Sequence, residues 1–115
     1  MNSFKLFVAI FILFLINCTE VRQRIQITDF SKTHEIHLEA KEKGTYSSFI
    51  VKIKGETNDS VSVRMCDNCF DYKLSGRIDT TFSSDFYGGK GATAKFLIAP
   101  YKATSGNLLI EASIQ

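Results

Sequence analysis

The sequence predicts an all-β fold: a small antiparallel β-sandwich of seven to eight strands, immunoglobulin-like or jelly-roll-like. Three observations predict it. Apolar and polar residues alternate over long stretches, which is the period of a strand with one buried face. Clusters of Gly, Asn, Asp and Ser interrupt the alternation about every ten residues, as turns do. Residues 19–115, which follow an apolar N-terminal run, suffice for one hydrophobic core and not for two.

The chain opens MNSFKLFVAIFILFLINCTE. Lys5 is its only early charge, residues 6–16 carry no polar side chain, and Asn17, Cys18 and Thr19 follow at once. This is the layout of a secretory signal peptide over residues 1–18. A membrane-spanning helix needs about 20 apolar residues, more than this run supplies. Leu15-Ile16-Asn17-Cys18 resembles the lipobox of bacterial lipoproteins, with Asn17 standing where Gly, Ala or Ser is usual. The resemblance implies that Cys18 becomes the lipidated first residue of an envelope protein held at the membrane. The other cleavage reading uses Ile16 and Cys18 as the −3 and −1 residues of ordinary signal peptidase and releases a soluble chain from Thr19. Both readings expect an exported protein.

The elements of the body follow in order. RIQIT, near residue 26, is a short strand. HEIHLEA turns Ile36, Leu38 and Ala40 to one side, which predicts a strand running into an EKG turn, although residues 38–43 are also good helix formers. Residues 46–54 and 60–65 alternate, and GETNDS between them is turn chemistry, so the pair predicts a hairpin. Residues 70–82 alternate without a break. Phe70, Tyr72, Leu74, Ile78 and Phe82 form the apolar face, and Gly76 marks a bend or bulge. Near the end, Ala94, Phe96 and Ile98 form one inward set, and Leu108, Ile110, Ala112 and Ile114 form another. The expected core joins these faces to Phe49, Val51, Ile53, Val61 and Val63.

The formal net charge of +2 is too near balance for nucleic acid, which calls for a concentrated basic footprint. HEIH places His34 and His37 on opposite faces of a strand, so they do not share a metal. YGGKGAT lacks phosphate-loop spacing. Its Tyr87, Gly88, Gly89, Lys90 and Gly91, with Tyr101 in a later loop, form a candidate binding surface, since loops on rigid sandwiches often carry function. Asp67, Asp71, Asp79 and Asp85 are spread too widely to make an acid–base pair. No catalytic residue, metal ligand or cofactor is expected. Asn58-Asp59-Ser60 matches a glycosylation acceptor in a predicted turn.

Three cysteines in an exported chain leave one over unless Cys18 is lipidated or removed. Cys66 and Cys69 then remain as a pair. Zinc would need further ligands. A redox dithiol usually draws a low pKa from a helix N-terminus, whereas both flanks here read as strands. Asp67 and Asn68 favour a tight turn, so the expectation is a structural disulfide at a hairpin tip. The expected function is that of a non-catalytic exported or lipid-anchored module that binds another protein in an inhibitor, immunity or adhesion-type role. The alternatives are a glycan-binding module using Tyr46, Tyr72, Tyr87 and Tyr101, and a thiol–disulfide oxidoreductase using Cys66 and Cys69.

Overall fold

Six strands carry the fold: β1 (Val21–Ile27), β2 (His34–Glu39), β3 (Ser48–Arg64), β4 (Tyr72–Asp85), β5 (Thr93–Ala99) and β6 (Gly106–Ile114). They come from a computed structural model that describes residues 20–41 and 45–115. Residues 1–18, read from the sequence as an export signal ending at Cys18, lie outside the described residues, as does the expected EKG turn at 42–44.

All pairings are antiparallel, in the order β1-β6-β3-β5-β2, with β4 on the other edge of β3. The first half of β3 pairs with β6, from Phe49↔Ile114 to Thr57↔Gly106. Its last residues pair instead with β5, as in Val63↔Ile98. One 17-residue strand therefore serves two layers. The first layer is β1, β6, the first half of β3 and the second half of β4. The second layer is β2, β5, the end of β3 and the start of β4. The result is a β-sandwich with a nearly closed sheet, whose inner faces interdigitate to form the core.

Alternation reads the inner faces correctly for most strands. Val51, Ile53, Val61, Leu108, Ile110, Ala112 and Ile114 are fully buried, as are Phe96 from β5 and Ile36 from β2, and Ile98 and Leu38 are buried beside them. Residues 34–39 are strand and not helix, because two branched or long apolar side chains at period two bury against the core. Tyr46 and Phe86, outside the strands, close one end with their rings edge to face at 6.1 Å.

Two expectations are corrected. Among the described residues there are six strands rather than seven to eight, because residues 46–54 and 60–65 are not the two arms of a hairpin. They are one strand, β3, bent where the register shifts between Thr57 and Val61. The turn-forming residues of GETNDS bond elsewhere instead of reversing the chain. Thr57 Oγ1 donates to the Asp59 carbonyl at 2.8 Å. Asn58 donates through Nδ2 to Thr104 Oγ1 at 2.8 Å and accepts from the Thr104 and Ser105 amides at 2.9 and 3.1 Å. The Ser60 carbonyl accepts from the Lys102 and Ala103 amides. The corner is strapped to the β5–β6 loop, and the Asn58 amide is engaged in that strap.

Phe70 and Tyr72 are the second correction, being 71% and 43% exposed rather than buried. Strand β4 lies at the rim, where only Ile78 is buried and Leu74 and Phe82 are half-buried. Gly76 sits at the bend with φ 71°.

Shortening Ile78 or Phe96 to Ala is expected to cost about 2–5 kcal/mol of unfolding free energy in urea titration. Lys52→Ala, on the exposed outer face of β3, is expected to change it by no more than about 0.5 kcal/mol. The reverse order would mean that the sheet faces are inverted.

Candidate functional site

The bend that β3 and β4 share folds the β3–β4 hairpin across the open side of the sandwich. Tyr72, at the start of β4, comes to lie against Phe82, ten positions later on the same strand, with ring centroids 5.1 Å apart. A straight strand would hold them about 33 Å apart. Phe70 stacks edge-on against Tyr72 at 4.7 Å, and Phe82 reaches buried Phe96 at 6.4 Å. The row Phe70, Tyr72, Phe82, Phe96 thus runs from solvent into the core and closes the mouth between the two layers. Contacts of this kind contribute about 0.5–1.5 kcal/mol each beyond simple burial. The outer end of the row stays wet.

Beside it stands the hairpin tip. Cys66 and Cys69 form a disulfide, their Cα atoms 5.0 Å apart, and the Cys69 amide donates to the Cys66 carbonyl, closing a tight turn. Arg64 donates to the Asp67 carbonyl at 2.9 Å. The Asp67 carboxylate meets Lys95 Nζ on β5 at 3.3 Å, and Lys95 lies 3.6 Å from Glu35 on β2. Hydrogen bonding to Asp67 holds the Lys95 ammonium above the ordinary lysine range. The bridge and these ties fix the tip against the second layer and floor a groove of about 510 Å³. His37 lines the groove, while His34 bonds the Asp29 carbonyl at 2.7 Å.

A polar cluster covers the opposite face of the same hairpin. Asp71 accepts from Ser62 Oγ and from Lys73 Nζ, the latter at 2.5 Å. The lysine hydrogen bond, then the serine one, holds the Asp71 carboxyl below the usual carboxylate range. Lys73 also sits 4.4 Å above the Tyr101 ring, a cation–π contact.

The other sequence-derived candidates do not converge. Tyr87, Gly88, Gly89, Lys90 and Gly91 form the turn before β5, with Tyr87 83% exposed. Tyr101 follows β5, so a strand of roughly 20 Å separates it from Tyr87. Tyr46 is buried. Among the described residues no cluster of three or more His, Cys, Asp or Glu is placed to hold a metal. Periodicity did not find the exposed aromatic pair, because alternation gives the face of a strand and not its distance from the rim.

No family model matches this chain, and no curated protein matches it. Among solved structures, the mitogen derived from Yersinia pseudotuberculosis is similar, with TM-score 0.50 and 10% identity over 84% of this chain and 86% of that one. A de novo designed double-stranded β-helix gives 0.46 and 4%, over 81% and 97%. The coat protein of Tobacco streak virus gives 0.46 and 8%, over 86% and 88%. The first likeness supports the fold class, a β-sandwich of jelly-roll type, and nothing about activity.

Reducing the Cys66–Cys69 bridge, or removing it with Cys66→Ser and Cys69→Ser together, is expected to lower unfolding free energy by about 2 kcal/mol. Urea titration with and without reductant measures it. An unchanged midpoint would show that the staple does not constrain the chain.

Proposed function

We propose that this chain is an exported, non-catalytic β-sandwich that acts by binding protein through the mouth beside β4. One observation carries the reading: Phe70 and Tyr72 leave an aromatic surface in water at the rim of an otherwise well-buried core. Exposed aromatic residues on a rigid support are the usual anchors of protein recognition. The disulfide suits an oxidising compartment, which agrees with the export signal of residues 1–18. Anchoring through a lipid on Cys18 belongs to the same proposal.

The test is affinity capture from source envelopes with the wild-type chain and with a Phe70→Ser, Tyr72→Ser variant. Bound chains, a second copy of this one included, are identified by mass spectrometry. The double variant is expected to lose the bound protein while circular dichroism shows that it still folds, because neither ring is buried in the core. Retention of the same bound set by the variant would overturn the reading.

A further inference from the structure

The stretch of β4 beyond its bend, residues 77–85, presents a free edge. Its other edge is taken by β3, through pairings from Glu56↔Arg77 to Ser48↔Asp85. The remaining two edge strands, β1 and β2, lie against each other on the far side of the sandwich. A long free edge invites strand addition, and native proteins guard such edges or use them.

Strand β4 carries charges that complement their own reversal. On the outer face of residues 77–85 stand Arg77, Asp79, Thr81, Ser83 and Asp85, all exposed. Antiparallel pairing with a second copy, fully overlapped, places a two-fold axis at Thr81. Arg77 then faces Asp85 of the other copy at both ends, Asp79 faces Ser83, and no like charges meet. Shifting the register by two residues either way sets like charges opposed or leaves Arg77 without an acid. A shift of one turns the apolar face outward. Among the described residues Arg77 and Asp85 make no ion pair of their own, whereas Arg22 and Arg24 on β1 are both bonded to Glu111.

The inner face agrees with the same register. Thr80 opposes Phe82 twice, a favourable β-branched–aromatic pair. Phe82 is one residue from the axis and touches Tyr72, which touches Phe70. In this pairing the aromatic row of each copy therefore begins beside the axis. This is an isologous contact, self-complementary in charge and in apolar surface.

We infer that the protein bound at this mouth is a second copy of the same chain, paired antiparallel through β4 about Thr81. The inference rests on the protein-binding reading of the mouth and names its occupant.

Charge exchange tests it. Sedimentation equilibrium is expected to show a dimer for the wild-type chain. Arg77→Asp and Asp85→Arg are each expected to raise the dimer dissociation constant about tenfold or more, since each opposes like charges at both ends. The double variant Arg77→Asp, Asp85→Arg restores opposite charges and is expected to recover most of the affinity. Circular dichroism confirms that all three stay folded, as exposed sites should. A monomeric wild-type chain, single variants that dimerise normally, or a double variant that stays monomeric would each overturn the inference. A monomeric wild-type chain that still captures a different protein through Phe70 and Tyr72 would leave the broader reading standing. Capture insensitive to those residues would remove both.

Discussion

The bend of β3 between Thr57 and Val61 is the constraint on which the rest of the sandwich depends. It lets one strand leave β6 and join β5, and so divides the β3–β4 hairpin between two layers. Just before the bend, β3 and β6 leave no room for a side chain at two positions. A methyl group on Gly55 would overlap the Asn107 carbonyl oxygen, and one on Gly106 would overlap the Glu56 carbonyl oxygen. Both positions also hold positive φ, which side chains other than hydrogen rarely adopt. Gly55 pairs with Leu108 and Gly106 with Thr57, so the two glycines lie diagonally across the strand pair and admit the approach from both sides.

What the mouth contains follows from that bend. With β4 folded over, Tyr72 closes on Phe82, and the hairpin tip reaches β5 and β2 through Asp67, Lys95 and Glu35. A straight hairpin would carry the tip away from the body and leave the core open along β4. The disulfide is then a local device on a tip whose place is set by the corner. Polar groups at the corner are bonded as well. Among the described residues no buried side-chain nitrogen or oxygen lacks a partner, which matters because such an atom costs about 1–3 kcal/mol.

Much of this was legible in the sequence. Period-two alternation marked the inner faces of β3, β5 and β6 residue by residue, because each is flanked by strands or covered by the other layer. The stapled turn was legible because Asp67 and Asn68 are turn formers between two strands. The corner was not. GETNDS has the composition of a hairpin turn, and only tertiary bonds from Asn58 and Ser60 to the β5–β6 loop show that the chain continues forward. The exposed rim was not legible either: Phe70 and Phe82 share one alternating face, yet one stands in water and the other reaches the core, because the strand between them bends. The candidate loop of Tyr87 and Tyr101 was drawn from composition, which carries no information about which end of β5 each occupies.

If the close approach of β3 and β6 governs the corner, a single methyl group there must disturb the whole sandwich. The direct measurement is the unfolding free energy of Gly55→Ala and Gly106→Ala against Gly89→Ala, whose added methyl would meet nothing within 4 Å. The account predicts a loss of at least about 2 kcal/mol for each of the first two, from strain and displaced backbone. It predicts a change within about 0.5 kcal/mol for the third. A Gly55→Ala chain as stable as the wild type would contradict it.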